Sequence, residues 1–219
     1  EDKRIFIDYI DRIEMSYVLN SSTINIAPFV NEEYYYEVIV YLKVKLKQKD
    51  KIDKISKIIN NNIPNPLVII YEFDKEYSIN TAIKRLSKTE KNKTVVEESN
   101  TTNWLNISSL SENDKKFIDS ISLSKIPYTN LFDFYKTIND KIYLFNMSDK
   151  IGEYEDISDK KTLEESKQIS EKIERLEVEL KKTLSKLKRE SQFNKKMELN
   201  VKAMEINKEI ENLKRNLKI

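Results

Sequence analysis

The alternation of apolar and polar residues over residues 38–47 is the clearest structural signal in the chain. The apolar positions fall at every second residue: Val38, Val40, Leu42, Val44 and Leu46. Successive side chains of a strand point to opposite faces of a sheet, so this spacing predicts a strand with one apolar face. The other face passes from Ile39 and Tyr41 to three lysines, which indicates that its second half faces water.

Other segments of the first 150 residues carry helical or strand-like spacing. Steps of three or four residues separate Phe6, Ile10, Ile13 and Tyr17. This stripe predicts a helix over residues 2–19. The remaining pattern predicts a short strand at 23–26, a helix at 50–61, strands at 67–73, 77–86 and 94–98, a turn at 88–93, and helices at 111–123 and 128–147. We therefore expect an α+β domain over about residues 1–150, with a small mixed β-sheet and flanking helices.

Two local features refine this prediction. Ser111 followed by Asp114 resembles a capping box, in which each residue bonds the backbone of the other at a helix start. Trp104 follows the last strand, and we expect it to cover the core.

After Asp159 the spacing becomes that of a coiled coil. One seam is Ile169, Ile173, Leu176, Leu180, Thr183 and Leu187, and a second is Leu199, Ala203, Ile206, Ile210, Leu213 and Leu217. Steps of four and three residues predict helices that pack along an apolar seam. Residues 151–157 hold the only glycine and several acids, and we interpret them as a linker to a unit at 158–219.

The two seams are out of phase, which leaves two arrangements open. A break near residues 191–194 predicts an antiparallel coiled-coil helical hairpin. The neighbours expected across it are Leu187 and Met197, Leu180 and Met204, and Ile173 and Ile210. The alternative is one long helix with a stutter that dimerises with a second copy.

Composition excludes several classes of chemistry. The 219 residues include one glycine, no histidine and no cysteine. A glycine-rich phosphate loop, a Ser-His-Asp triad and a thiol nucleophile are thereby excluded, as are the common zinc sites. No stretch approaches the roughly 18 consecutive apolar residues of a membrane span. We expect a cytoplasmic protein with no cofactor and no metal site.

Charge is distributed unevenly along the chain. Residues 158–219 carry 17 basic and 12 acidic side chains, whereas residues 1–157 carry 22 and 25. The expected hairpin tip concentrates cations around one aromatic residue: Lys181, Lys182, Lys186, Lys188, Arg189, Phe193, Lys195 and Lys196. Such a cluster can contact a phosphate backbone or an acidic protein, and Phe193 can stack on a base or cap the turn. An ordinary solvated coiled-coil face is the alternative.

An enzymatic alternative is a divalent-metal nuclease with an acid-x-Lys motif, in which carboxylates hold the metal. The motif occurs at Asp114/Lys116, Asp159/Lys161, Glu165/Lys167 and Glu179/Lys181. All four positions fall on predicted helices or in the linker, rather than on a sheet strand, so the motif lacks its usual context.

Tyrosines cluster near the start of the main strand, at Tyr34, Tyr35, Tyr36 and Tyr41. We interpret them mainly as sheet packing, with a partner-binding surface as the alternative.

Three segments carry a resemblance to a known family: Glu190-Ser-Gln-Phe-Asn-Lys-Lys-Met-Glu-Leu-Asn200, Thr23-Ile-Asn-Ile26 and Ile63-Pro-Asn-Pro-Leu-Val-Ile-Ile70. Together they resemble the bacterial family called "domain of unknown function 4391". The resemblance implies accessory genes found beside helicases and DNA methyltransferases in restriction-like or phage-defence clusters. It supplies no catalytic residues.

We therefore expect a non-catalytic accessory subunit of a bacterial DNA-processing or phage-defence assembly. It would bind a protein partner, with a helicase or methyltransferase implied by the resemblance, and nucleic acid through the basic tip. The alternatives are a divalent-metal nuclease and a structural coiled-coil homo-oligomer.

Overall fold

A computed structural model of the protein describes residues 2–90, 93–157 and 159–217. Its contacts divide the chain into two compact units, residues 1–146 and 147–219. Residues 91 and 92 of the predicted turn at 88–93 lie outside the described part, as does the side chain of Leu217 in the second seam.

The first unit holds a β-sheet with helices. In chain order its elements are α1 (Asp2–Tyr9), β1 (Ile10–Leu19), β2 (Phe29–Val30), β3 (Tyr35–Tyr36), β4 (Ile39–Leu46), α2 (Ile52–Asn62), β5 (Leu67–Phe73), β6 (Glu76–Leu86), β7 (Thr94–Thr101), β8 (Leu105–Asn106), α3 (Glu112–Ser120) and α4 (Leu131–Ile151), whose last residues belong to the second unit. The predicted main strand, the three strands after it and the helix between them are all present.

The main sheet has the strand order β1-β4-β5-β6-β7, with β8 also paired to β6. Only the β4–β5 pair is parallel among the described pairs, and α2 supplies the crossover that a parallel pair requires. β2 and β3 form a separate two-stranded ribbon. The predicted α+β class and mixed sheet are confirmed.

The alternating residues of β4 form the core together with its neighbours. The buried cluster contains Ile5, Ile10, Leu42, Val44, Leu46, Ile55, Ile59, Leu67, Ile69 and Tyr71. It therefore combines one face of β4 and β5 with the apolar stripe of α2, as the strand and helix periods require. Trp104 packs against this cluster while remaining partly exposed, so it covers the core as predicted.

The tyrosine cluster serves mainly as packing. Tyr36 is fully buried, with its ring 5.0 Å from that of Phe132 and 5.7 Å from that of Tyr135. Tyr34 also packs on Phe132, at 4.6 Å, and donates to Glu97. Burial and this carboxylate raise the pKa of Tyr34 to about 12. Tyr35 by contrast is exposed, so it does not belong to the packed cluster.

The helix predicted over residues 2–19 is wrong beyond Tyr9. Residues 10–19 instead form β1, which pairs antiparallel with β4 from Ile10 opposite Leu46 to Leu19 opposite Ile39. The apolar stripe that suggested a helix does not converge on the core, since Ile13 and Tyr17 are both exposed. Pairing with a long neighbouring strand decides the conformation here, and local spacing does not.

The short strand predicted at residues 23–26 is also wrong. Asn20 closes a turn in which its side-chain Oδ1 accepts hydrogen bonds from the backbone N–H groups of Ser22 and Thr23, at 3.0 and 3.1 Å. Thr23 Oγ1 donates to the carbonyl of Val18 at 2.9 Å. An asparagine that bonds the backbone two and three residues ahead favours a turn over an extended strand.

The capping box before α3 is confirmed. Ser111 accepts from the backbone of Asp114 at 3.1 Å, and Asp114 accepts from the backbone of Ser111 at 2.8 Å. The helix ends at Ser120 and not at Leu123 as predicted, and a 3-10 turn covers residues 123–125. The predicted helix at 128–147 is α4, shifted to 131–151.

The only glycine of the chain follows α4. Gly152 has a φ of +100°, a conformation that side chains with a Cβ rarely adopt. Its N–H donates to Ser148 at 2.6 Å, which closes the last turn of the helix. Asp159 then caps the next helix by accepting from the backbone N–H of Thr162 at 2.8 Å.

The second unit consists mainly of two long helices, α5 (Lys160–Arg189) and α6 (Phe193–Leu217), which pack against each other as a hairpin. Residues 190–192 are not helical, so the single long helix is wrong. Ion pairs join Lys172 to Glu209 at 2.7 Å and Glu179 to Lys202 at 2.8 Å. A later residue of α5 thus meets an earlier residue of α6.

The predicted seams lie between these helices. Ile173 and Thr183 of α5 are buried, as are Ala203, Ile206 and Ile210 of α6, and the other described seam residues are half-buried. The predicted pairing of Met197 with Leu187 and of Met204 with Leu180 is wrong. The two methionines are 54 and 67 % exposed and so lie outside the interface.

Candidate functional site

The basic cluster surrounds the connection between α5 and α6. Lys186, Lys188 and Arg189 occupy the last turn of α5, where cations complement the negative end of the helix dipole. Phe193 begins α6 after the three connecting residues. The sequence therefore brings both helix ends to one place, as the hairpin prediction required.

All eight of the predicted contact residues are solvent-exposed. The exposed residues are Lys181, Lys182, Lys186, Lys188, Arg189, Phe193, Lys195 and Lys196, with Lys186 and Lys188 flanking the half-buried Leu187. Phe193 exposes 74 % of its surface, which is unusual for an aromatic side chain of this size. Neither packing nor a seam role explains its position.

The seven cations of the cluster lack carboxylate partners. None of them forms an ion pair within 4.0 Å with a carboxylate in the described part of the chain. Lys172 and Lys202, which lie on the same two helices, do form such pairs across the hairpin. Because no carboxylate pairs directly with these cations, an anionic partner can replace the solvent ions around them.

Two shallow grooves gather part of this charge. One of about 560 Å³ is lined by Lys186, Arg189, Glu190, Lys195, Glu198, Leu199 and Lys202. A second of about 480 Å³ is lined by Glu177, Leu180, Lys181, Leu184, Ser185 and Lys188. Lys182 and Lys196 line neither groove. The cations therefore surround the end of the hairpin and do not converge on a single pocket.

Glu190 is the one acid within the cluster, and its role is local. Its Oε1 accepts from the backbone N–H groups of Ser191 and Gln192, both at 2.9 Å. These bonds, the one from Gln192 foremost, and the charge of Lys195 lower the pKa of Glu190. The carboxylate thus stabilises the three-residue connection that holds the two basic helix ends together.

A second surface was missed from the sequence. Phe193, Met197, Val201 and Met204 recur at steps of four, four and three residues on α6, and each is at least 51 % exposed. That spacing places them on one face of the helix, outside the buried seam. We call this set the outer stripe. The second apolar period of α6 indicates this face in the sequence, but the predicted hairpin pairing places Met197 and Met204 in the interface.

The acid-x-Lys motifs do not assemble a metal site. Asp114 and Lys116 lie in α3, Asp159 caps α5, and the remaining two motifs lie within α5. Among the residues that the structure describes, no group of three or more acidic side chains is placed to hold a metal ion. No helix within the described ranges is long and apolar enough to cross a membrane.

Comparison with known proteins identifies the family alone. No curated protein and no solved structure matches the chain. The family described as "Domain of unknown function (DUF4391)" matches residues 1–212 of the 219 residues, which covers both the sheet and the hairpin. The chain therefore belongs to the DUF4391 family.

Proposed function

We propose that this protein is a non-catalytic accessory subunit that acts by contact in a bacterial DNA-processing or phage-defence assembly in the cytoplasm. The C-terminal hairpin, an antiparallel coiled coil, is the contact arm, and its basic end binds the phosphate backbone of nucleic acid. The absence of carboxylate partners around the seven cations, within the described residues, carries this proposal. On a helix surface, opposite charges three or four residues apart are neighbours that can form such pairs.

The outer stripe supports a protein partner for the same arm. Four exposed apolar side chains on one helix face form a surface that a partner helix can cover. The stripe begins at Phe193, inside the basic cluster, so a protein bound along α6 and a nucleic acid at the hairpin end would be neighbours. A helicase or methyltransferase is the partner implied by the family resemblance.

The nucleic-acid part of the proposal is tested by fluorescence anisotropy with a labelled duplex of about 30 base pairs and a single-stranded RNA of equal length. We expect binding that weakens steeply with added salt. Changing Lys186, Lys188, Arg189, Lys195 and Lys196 together to glutamate should abolish it. Undiminished affinity of this variant would show that the basic end is not the binding surface.

The protein-partner part is tested by affinity purification from the native host with the wild-type chain and a Val201→Glu/Met204→Glu variant. We expect a stoichiometric partner that the variant loses while its helical circular dichroism is unchanged. A partner retained by the variant would exclude the outer stripe as its binding surface.

The nuclease alternative makes a different prediction. It requires Mg²⁺-dependent cleavage of plasmid or RNA that one acid-to-amide substitution abolishes. We expect no cleavage above that of a mock preparation.

A further inference from the structure

The edge strand β1 offers a free backbone edge. It pairs with β4 on one side, and no strand among the described residues pairs with its other side. Every residue from Asp11 to Tyr17 is exposed. An uncovered edge of this length presents a row of unpaired backbone groups that can pair with another strand.

The side chains of β1 do little to protect this edge. Its sequence, from Ile10 to Leu19, contains neither proline nor lysine, two common protective residues at sheet edges, and its charged residues are Asp11, Arg12 and Glu14. Ile13 and Met15 lie opposite the core residues Val44 and Leu42, so they extend the apolar face of the sheet beyond its covered part. Met15 and Tyr17 expose 67 and 71 % of their surfaces.

The charges of β1 are complementary to those of a second, antiparallel copy of the same strand. Arg12 and Glu14 flank Ile13, and their side chains lie on the same face, 3.0 Å apart. If two β1 strands pair antiparallel about a two-fold axis at Ile13, each Arg12 faces Glu14 of the second copy. We propose that the protein forms a two-fold dimer through β1, which joins the two main sheets into one continuous sheet.

Neighbouring registers are less favourable. Centring the pair on Arg12 or on Glu14 places like charges directly opposite each other. An axis between two residues is excluded, because it would place residues that point to opposite faces of the sheet directly across from each other. The axis at Ile13 also brings the two exposed Ile13 side chains together on the apolar face.

The geometry of β1 is compatible with this pairing. Register shifts against β4 occur between Ile10 and Arg12 and between Met15 and Tyr17, so residues 12–15 form a regular stretch. The three central cross-strand pairs, formed by residues 12–14 of each copy, lie within this stretch. The inference concerns the sheet edge alone and does not depend on the basic end of the hairpin.

Charge reversal gives a specific test by sedimentation velocity, using the full chain at concentrations up to about 500 µM because a single added strand buries little surface. We expect the wild-type chain to approach twice its mass of 26.0 kDa with a micromolar Kd. Arg12→Glu alone and Glu14→Arg alone should each weaken self-association at least tenfold. An equimolar mixture of these two variants should form a heterodimer, because each mismatched strand then faces its complement.

The control is Arg4→Glu, which changes the same charge on α1, where Arg4 pairs with Asp8 at 3.5 Å. It should dimerise like the wild-type chain, and circular dichroism should show every variant folded. A wild-type chain that remains monomeric, a dimer insensitive to both reversals, or a mixture that stays monomeric would each overturn the proposal.

Discussion

Lys84 is buried inside the first unit, where no carboxylate among the described residues pairs with it. It is 2 % exposed, and its Nζ donates to the backbone carbonyls of Ile63 at 2.7 Å and Asn65 at 2.8 Å. Removal from water disfavours the charged amine, which lowers the pKa of Lys84 to about 7. This side chain therefore connects the loop between α2 and β5 to β6, and its contribution to the free energy of unfolding depends on pH.

Lys84→Met should change the pH dependence of stability. An unfolded lysine keeps its proton up to about pH 10.4, whereas the folded one loses it above about pH 7. The unfolded state then binds more protons between these values, so stability should rise with pH there, by up to about 1.4 kcal/mol per unit. The free energy of unfolding, measured with urea at pH 7.5, 8.5 and 9.5, should rise with pH less steeply in the variant, by about this amount per pH unit. Parallel slopes would contradict the assignment.

Tyr135 makes a second buried polar contact that the sequence pattern does not predict. Its hydroxyl donates to the carbonyl of Leu67 at 2.6 Å and accepts from the N–H of Ala82 at 2.9 Å. The hydroxyl thus bridges β5 and β6 just beyond their last paired residues, Val68 and Thr81.

Tyr135→Phe should destabilise the fold by about 1–3 kcal/mol, because it leaves buried backbone groups without their partner. Tyr128→Phe is the matched control, since that ring is 48 % exposed and its hydroxyl bonds a single carbonyl, that of Leu123. We expect less than about 0.5 kcal/mol for the control in the same urea titration. Equal effects of the two substitutions would show that the buried hydroxyl of Tyr135 stabilises the fold no more than an exposed one.

At the scale of elements, the spacing of apolar residues correctly predicts the strands and helices that bury one face. The β4 alternation and the seams at Ile173 and Ile206 were recognisable because one face of each element must leave water. β1 was not, because its partner is a strand 20 residues away in sequence and its side chains stay exposed. Local period carries no information about such pairing.

The candidate site was predictable to a similar extent. The basic residues could be read from composition and from the phase break between the seams. Whether these cations form ion pairs depends on which faces of α5 and α6 pack together, and the sequence pattern does not determine that. For the same reason Met197 and Met204 were misplaced, since a shift of a few residues across the hairpin moves a side chain from the interface to solvent.

The hairpin's stability should depend on its buried seam. Ile173 is fully buried, so Ile173→Ala should lower stability by about 2–5 kcal/mol. Val178 lies on the same helix but is 54 % exposed, and Val178→Ala should cost less than about 0.5 kcal/mol. Thermal unfolding followed by circular dichroism at 222 nm measures both. Similar effects of the two changes would contradict the assigned seam.

At the scale of the whole molecule, charge is distributed unevenly along the sequence. Residues 158–219 are net positive and residues 1–157 are net negative, by the counts of their side chains. The excess is concentrated at the hairpin end, where seven cations and one acid occur within residues 181–196. We therefore attribute nucleic-acid affinity to the clustering of cations at the hairpin end and not to overall charge, since the chain's net charge is only +2.

The most direct measurement compares two variants with identical net charge. One reverses Lys186, Lys188, Arg189, Lys195 and Lys196 to glutamate, and the other reverses five exposed cations of the first unit, Lys3, Arg4, Lys57, Lys75 and Lys88. Duplex affinity is measured by anisotropy across a salt series. We predict that the second variant still binds, with a salt slope of about −5 in log K against log salt, whereas the first shows no binding. Equal loss in both variants would contradict it.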